Sequence, residues 1–201
     1  MKELIIATQN AHKAQEIAAI LPADCSIRTL ADFPDLPAVE ETGLTFAENA
    51  ELKAVALSRL VEGWVLADDS GLCVDALGGS PGILSARYAG EHGNDAANNR
   101  KLLAELRALP GLAPHAAHFT CAMCLARGGR VEAAFTGILS GHITLQPRGE
   151  HGFGYDPLFV PEGYAGSTLA ELPSEVKNSI SHRARALAQL AFWWGERKAH
   201  S

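Results

Sequence analysis

The sequence predicts an α/β fold: a mixed, twisted sheet flanked by helices. Three observations predict it. An apolar run near the N-terminus is followed directly by a helical pattern, which together form a first strand–helix unit. Further along, capped helical patterns alternate with apolar segments. Two long apolar segments are joined by Arg127-Gly128-Gly129-Arg130, which is typical of a tight hairpin.

The composition fits one globular domain over residues 1–201, or two small lobes sharing a core. The chain has 201 residues, of which 47% are hydrophobic and 20% charged. No apolar run approaches the roughly 18 residues of a membrane helix, and the first residues lack a signal peptide's long apolar region. The formal charge of −6 argues against broad nucleic-acid binding. Four cysteines suggest free thiols in a reducing cytosol. Together with the net charge and the lack of a membrane segment, they predict a cytoplasmic protein without membrane or nucleic-acid partners.

The first strand is expected at Leu4–Ala7, and apolar residues then recur at helical spacing until Pro22. Thr8 or Asn10 can cap this helix, and Lys13 falls in its first turn. Free backbone N–H groups and the helix dipole make such a start an anion site. A lysine there opposes the dipole unless an anion shares the site. An ordinary capped helix with an exposed lysine is the alternative.

The second helix is expected to begin at a capping box, Thr45-Phe46-Ala47-Glu48, and to run to about Val61. Asn49 and Lys53 lie four residues apart on its polar side. Lys53 is either a solvated helix lysine or a ligand for phosphate. Glu41, just before the helix, is a carboxylate that could reach a metal ion.

The acidic stretch Ala67-Asp68-Asp69-Ser70-Gly71-Leu72 follows the apolar run Trp64–Leu66. It predicts a strand that carries two carboxylates to its C-terminal end, where ligands gather in open α/β sheets. Adjacent carboxylates repel each other, and Mg2+ is a usual occupant, held by one or two carboxylates plus substrate phosphates. A solvated acidic turn is the alternative. A second strand is expected over 72–77.

Asn94 is expected to cap a helix that ends near Leu109, and the hairpin strands follow at 117–126 and 131–139. In the later segment 151–157, two glycines flank Phe153 and allow close backbone approach to something flat. Phe153 could stack on a base, or the segment is a turn with core aromatics.

The last helix is expected to open within Glu175–Arg183, with Ser179 or Ser181 as its cap. Lys177, His182 and Arg183 crowd its start. This is the second place in the chain where cations oppose a helix dipole, which favours a phosphate ligand.

Six motifs occur in a fixed order along the chain. They are Thr8-Gln9-Asn10-x-x-Lys13, Glu40-Glu41-Thr42-Gly43-x-Thr45-Phe46-x-Glu48-Asn49-Ala50-x-x-Lys53-Ala54, Ala67-Asp68-Asp69-Ser70-Gly71-Leu72, Gly78-Gly79-x-Pro81-Gly82, Phe153-Gly154-Tyr155-Asp156-Pro157 and Ser181-His182-Arg183. In this combination the chain closely resembles the non-canonical purine nucleoside triphosphate pyrophosphatases, the inosine/xanthosine triphosphate pyrophosphatase family, over essentially its whole length. Gln9 stands where family members often carry Gly.

The resemblance implies an elongated fold with two lobes and a nucleotide in the central cleft between them, and a homodimer. It also implies hydrolysis of purine nucleoside triphosphates (ITP, dITP and XTP) to the monophosphate and pyrophosphate, with Mg2+. Two other functions stay open. One is a pyrophosphatase acting on pyrimidine or other modified nucleotides, and the other is a non-enzymatic nucleotide-binding module. Three carboxylates beside the phosphates argue against the second, because binding alone does not require them.

In that chemistry a water attacks the α-phosphorus, so the site needs a base, a metal and cations. Asp69 is the expected general base and a metal ligand, with Glu41 and Asp68 helping to hold Mg2+. Donors from His182 and Arg183 would favour a 6-keto purine over adenine. The full set of expected substrate-binding residues is Thr8, Gln9, Asn10, Ala11, His12, Lys13, Lys53, Ser70, Phe153, Gly154, Tyr155, Asp156, Lys177, His182 and Arg183.

Overall fold

The structure is a computed structural model that describes residues 3–21, 25–110 and 114–199. Its strands are β1 (Leu4–Ile6), β2 (Ile27–Thr29), β3 (Trp64–Val74), β4 (His115–Arg127), β5 (Arg130–Ile143) and β6 (Phe159–Pro161). Its α-helices are α1 (Ala11–Ile20), α2 (Phe46–Ser58), α3 (Asp95–Ala108), α4 (Ser174–Ile180) and α5 (His182–Ala199). The expectations for Met1, Lys2 and Pro22 lie outside the described residues.

The six strands form one mixed sheet with the order β2-β1-β3-β4-β5-β6. β1 pairs in parallel with both β2 and β3, whereas β5 and β6 are antiparallel. Parallel neighbours need a crossover connection, and α1 and α2 lie in the connections that follow β1 and β2. The prediction of an α/β fold with a mixed sheet is confirmed.

The chain divides into two compact units. Unit 1 comprises Met1–Asp69, Cys121–Gly137 and His182–Ser201, and unit 2 comprises Ser70–Thr120 and Ile138–Ser181. Unit 1 has an apolar cluster shared by β1, β3, α1 and α5, and another that includes residues of α2. Unit 2 has its own core, to which α3 contributes several leucines. The expectation of a single two-lobed domain over 1–201 stays a prediction.

Local sequence signals place the starts of α1, α2 and α3 correctly. Asn10 Oδ1 accepts hydrogen bonds from the N–H groups of His12 and Lys13, at 3.0 and 3.2 Å, and α1 begins at the residue after Asn10. Thr45 caps α2 through a capping box with Glu48, and Asn94 caps α3. The predicted caps are therefore confirmed. They were predictable from the sequence because each depends on residues within three positions of the helix start. α2 ends at Ser58, three residues before the predicted end.

The predicted hairpin is also confirmed. Gly128 and Gly129 join β4 to β5 with φ of 56° and 79°. Two successive positive φ values belong to the turn whose twist matches that of the flanking strands, and glycine adopts them without strain. Both strands extend beyond their predicted limits.

The predictions for the acidic stretch and for the last helix are wrong. β3 is one continuous strand from Trp64 to Val74, so Asp68 and Asp69 lie within a strand and not at its C-terminal end. Residues 64–69 are all buried, and burial in the sheet outweighs the turn preference of the acidic stretch. The last helix is two helices, because Ser181 has an extended backbone between α4 and α5. Lys177 therefore belongs to α4, whereas His182 and Arg183 begin α5.

No helix among the described residues is long and apolar enough to cross a membrane.

α5 approaches β5 closely at Gly137. A Cβ at this position would lie 2.0 Å from the carbonyl oxygen of His182 and 2.7 Å from the backbone nitrogen of Ala186. Gly137→Ala must therefore displace the start of α5, and we expect it to lower the free energy of unfolding by about 1–3 kcal/mol in urea denaturation.

The matched control is Gly195→Ala, within α5, where an added Cβ meets nothing within 4 Å. Alanine is the better helix former, so this variant should be neutral or more stable by about 0.5–1 kcal/mol. Equal losses in the two variants would contradict the close approach at Gly137.

Candidate active site

Asp68 and Asp69 face opposite sides of β3, because successive side chains of a strand alternate. Leu66, on the same side as Asp68, packs in the cluster that contains residues of α1 and α5. Ala67, on the same side as Asp69, packs in the cluster that contains residues of α2. Two adjacent carboxylates therefore lie in different surroundings.

The Asp68 carboxylate is buried between two cations. Its side chain has no exposed surface, and Oδ2 lies 3.1 Å from Lys13 Nζ and 3.7 Å from Arg183 Nε. Burial by itself raises the pKa of Asp68, but Lys13, Arg183 and Lys53 together hold that pKa well below its usual range. Asp68 is therefore a permanent negative charge.

Arg183 extends this arrangement. Its side chain is 3% exposed, and Nη1 donates to Glu16 Oε2 at 2.6 Å. Burial lowers the pKa of Arg183, but the carboxylates of Asp68 and Glu16 outweigh it and raise the pKa. Lys13, Asp68, Arg183 and Glu16 thus form a chain of alternating charges, which we call the charge network. Sequence reasoning missed Glu16, whose one signal is its position three residues after Lys13 on α1.

Asp69 lies in the contrasting environment. It is 6% exposed, and Oδ2 accepts a hydrogen bond from Asn49 Nδ2 at 3.1 Å. Burial raises the pKa of Asp69, Lys53 and Lys13 oppose the shift, and Glu41 adds to it, with a raised pKa as the net result. A buried carboxylate with a raised pKa is typical of a general base. Asn49, which the pattern placed on a polar helix face, is fully buried against it.

Lys53 links the segment before α2 to β3. Its Nζ donates to Glu41 Oε1 and to the backbone oxygen of Asp68, both at 2.7 Å. The Lys53 side chain is 14% exposed, so it is not a solvated surface lysine. The structure therefore brings Glu41, Lys53 and Asp69 together.

The turn before α1 is held by its own side chains. Thr8 Oγ1 accepts a hydrogen bond from the backbone N–H of Asn10 at 3.2 Å. Gln9, Ala11 and His12 are exposed. The Asn10 side chain occupies the N–H groups of residues 12 and 13, while the Lys13 ammonium reaches Asp68.

The donor set fits a hard divalent cation. Glu41 raises the pKa of Asp69, so the two carboxylates repel each other, and a cation between them would remove that repulsion. Within the described ranges, no group of three or more His, Cys, Asp or Glu side chains is arranged to hold a metal ion. Mg2+ characteristically uses one or two carboxylates and leaves its other positions to water and phosphate oxygens. Two carboxylates are therefore enough.

A second cluster lies within unit 2, around the half-buried Phe153. Its N–H donates to Asp156 Oδ2 at 2.9 Å, and Lys177 Nζ donates to the same oxygen at 2.5 Å. The Asp156 and Lys177 side chains are 5% and 6% exposed. Lys177 Nζ also lies 4.8 Å from the centroid of the Phe153 ring. A buried ion pair thus supports both the backbone and the ring of the predicted stacking residue.

The other predicted residues have varied positions. Tyr155 belongs to the core of unit 2, and its hydroxyl donates to the backbone oxygen of Ser85 at 2.9 Å. Ser70 is half-buried and directly follows Asp69 on β3, whereas His182 is buried at the first residue of α5. The N–H and C=O groups of Gly154 are both bound by side chains of α3, a feature that sequence reasoning missed.

The model of the Ham1 family matches residues 4–193. The chain belongs to the Ham1 family. This Ham1 protein is 54% identical to a dITP/XTP pyrophosphatase from Geobacillus kaustophilus, over 98% of this chain and 96% of that protein. It is 51% identical to a dITP/XTP pyrophosphatase from Geobacter sulfurreducens, over 94% of this chain and 95% of that protein. A solved HAM1 protein from Coxiella burnetii superposes with a TM-score of 0.87 at 38% identity, over 98% of this chain and 100% of that one.

The resemblance stated from the motifs is therefore confirmed, and the chain is a nucleoside triphosphate pyrophosphatase. Nucleotide pyrophosphatases generally need a divalent metal. The roles of individual site residues stay predictions.

We predict that Asp68→Asn destabilises the protein. The variant leaves Lys13 and Arg183 facing a neutral amide, and removing one partner of a buried ion pair costs about 3–5 kcal/mol. The pKa of Asp68 is lower in the folded than in the unfolded state, so its contribution is present above the ordinary aspartate pKa of about 3.9 and is lost only as the pH falls below it. Urea denaturation should give the same difference from wild type at pH 7 and pH 5, and a smaller one at pH 3.

The control is Asp75→Asn, since the Asp75 side chain is 67% exposed. This surface substitution should change the free energy of unfolding by less than about 0.5 kcal/mol. Wild-type stability of Asp68→Asn at pH 7 would contradict the charge network.

Proposed function

We propose that this Ham1 protein hydrolyses ITP, dITP and XTP to the nucleoside monophosphate and pyrophosphate, and so removes these nucleotides from the pool. The observation that carries the proposal is Asp69, a buried carboxylate with a raised pKa, bound to Asn49 and close to two lysines. The substrate class is supported by the dITP/XTP pyrophosphatase relatives, which are 54% and 51% identical to this protein over 98% and 94% of its chain.

Hydrolysis at the α-phosphorus needs an activated water and positive charge around the triphosphate. We assign the role of general base to Asp69, which accepts the proton of the attacking water. Asn49 holds the carboxylate in place through its hydrogen bond to Oδ2. Lys53 and Lys13 supply positive charge for the phosphates. We assign Thr8, Asn10 and the exposed Gln9, Ala11 and His12 to the same purpose.

We assign Mg2+ to Glu41 and Asp69. When bound, the metal neutralises charge on the triphosphate and the leaving pyrophosphate. Asp68 as a further ligand stays a prediction, and its contacts with Lys13 and Arg183 support a different role, that of holding these cations in place.

For recognition of the nucleobase, we propose that Phe153 stacks on the purine ring. The Lys177–Asp156 pair keeps the Phe153 backbone in place. We also propose that His182 and Arg183 donate to the 6-keto oxygen of the purine. The Arg183 guanidinium in addition contacts Glu16 and Asp68. Those contacts favour a role for Arg183 in the charge network.

We also propose that the enzyme acts as a homodimer on free nucleotides in the cytoplasm, without nucleic acid or membrane. The net charge of −6 supports the absence of nucleic acid. Cys73, Cys121 and Cys124 are free thiols, as in a reducing compartment.

The test is to incubate the purified protein with Mg2+ and each of ITP, dITP, XTP, ATP, GTP and dUTP, and to separate the products. We expect pyrophosphate and monophosphate in equal amounts from the first three, with kcat/KM at least about tenfold above that for ATP, the usual worth of a hydrogen bond to the base. Release of orthophosphate would contradict attack at the α-phosphorus. A preference for dUTP would favour a pyrimidine enzyme, and binding without turnover would favour a sensing module.

We predict that Asp69→Asn lowers kcat by about 10²–10⁴-fold, the usual contribution of a positioned base. The fold should survive, because Asn keeps an oxygen acceptor for Asn49. The folded-state pKa of Asp69 is raised, so its ionised form disfavours folding as the pH rises through that pKa, and the variant should be at least as stable as wild type at pH 7. Initial rates with dITP and urea denaturation measure both effects. Near-wild-type kcat in the folded variant would refute the assignment, and the exposed Asp75→Asn should keep full activity.

A further inference from the structure

Two side chains of α3 bind the backbone of Gly154, one at its N–H and one at its carbonyl oxygen. Asp95 Oδ2 accepts a hydrogen bond from the Gly154 N–H at 2.7 Å. Asn99 Nδ2 donates to the Gly154 carbonyl oxygen at 2.9 Å. Asp95 and Asn99 are four residues apart, so they lie on the same face of the helix. We call this pair the α3 clamp.

The α3 clamp acts on the peptide that carries Phe153. The Gly154 N–H belongs to the peptide group that follows Phe153, and the N–H of Phe153 itself is bound to Asp156 at 2.9 Å. Side chains therefore hold three polar groups of the backbone of residues 153 and 154. The segment lies outside any strand or helix, and Gly154 has φ of 63°, so sheet or helix hydrogen bonds do not hold it. With both flanking peptides held, the Cα–Cβ bond of Phe153 has a defined direction, which limits the orientations that its ring can adopt.

The chemistry of the two bonds is directional. A carboxylate only accepts, so Asp95 is matched to the Gly154 N–H. Asn99 Oδ1 is buried and accepts no hydrogen bond from the described residues, so the bond from Nδ2 to Gly154 sets the orientation of the amide. The reversed amide would place its oxygen against the Gly154 carbonyl oxygen. Asn99 is therefore required as a donor.

We propose that Asp95 and Asn99 are positioning residues for purine recognition, which hold the Phe153 ring in its stacking orientation through the backbone of Gly154. The proposal rests on the proposed function, in which Phe153 stacks on the base. Stacking depends on the ring's orientation, so a loosened Gly154 peptide weakens base binding and discrimination. The phosphate chemistry proposed for Asp69 and Lys53 depends on a different set of contacts, with Asn49, Glu41 and the backbone of Asp68.

Asp95 accepts a hydrogen bond from Gly154 and Asn99 donates one, so exchanging Asp and Asn, which are nearly equal in size, tests each bond separately. Asp95→Asn keeps an oxygen acceptor for the Gly154 N–H, whereas Asn99→Asp removes the donor and brings two oxygens together. We expect Asn99→Asp to raise KM for dITP by about tenfold, with kcat changed by less than about threefold, and to lower the dITP-to-dATP ratio of kcat/KM. Asp95→Ala should behave like Asn99→Asp. Asp95→Asn, and Arg100→Gln at an exposed position of α3, should remain within about twofold of wild type.

Amide hydrogen exchange of residues 151–157 in the ligand-free protein provides a readout that does not depend on activity. Exchange should accelerate in Asn99→Asp and Asp95→Ala but not in Asp95→Asn. Unchanged exchange in the first two variants would overturn the α3 clamp. Faster exchange with unchanged KM and base ratio, or a loss confined to kcat, would overturn the positioning role. A wild-type protein that hydrolyses no nucleotide would instead refute the proposed function, and the exchange data would still test the clamp.

Discussion

The buried charge of Asp68 is the constraint on which the described site depends. A carboxylate without exposed surface is tolerated only where cations lie against it, and Lys13 and Arg183 meet that need from α1 and α5. Arg183 is itself buried and requires Glu16 as a second partner. The network therefore fixes two helices against β3, and it places the Lys13 ammonium in the first turn of a helix, where the dipole disfavours a cation.

One residue further along, strand alternation produces the opposite electrostatics. Asp69 has an amide donor in Asn49 and a like charge in Glu41, and its burial is not fully compensated. Two chemically identical side chains thus have pKa values shifted in opposite directions. The compensated carboxylate stabilises the fold, whereas the uncompensated one is available to accept a proton or bind a metal. In our proposal, stability and catalysis are divided between neighbouring residues by the two-residue period of a strand.

In unit 2, buried side chains support the backbone of the aromatic segment around Phe153. Phe153 lies in a segment without regular secondary structure, yet the Asp156–Lys177 pair and two side chains of α3 bind its backbone. Gly152 is essential to this packing, since a Cβ there would lie 2.0 Å from Asp156 Oδ2, and its φ of 76° already favours glycine. Binding segments outside sheets and helices need such support if they are to present a ring in one orientation.

The sequence by itself determined the features that depend on near neighbours: the caps at Asn10, Thr45 and Asn94, the glycine turn of the hairpin, and the motif order that identifies the family. Only the tertiary structure decided that β3 continues through the acidic stretch, because burial in the sheet overrides a local turn preference. It also decided the charge partners. Glu16 and Arg183 are 167 positions apart, and the energy of an ion pair depends on distance in space and on burial, neither of which a local pattern contains.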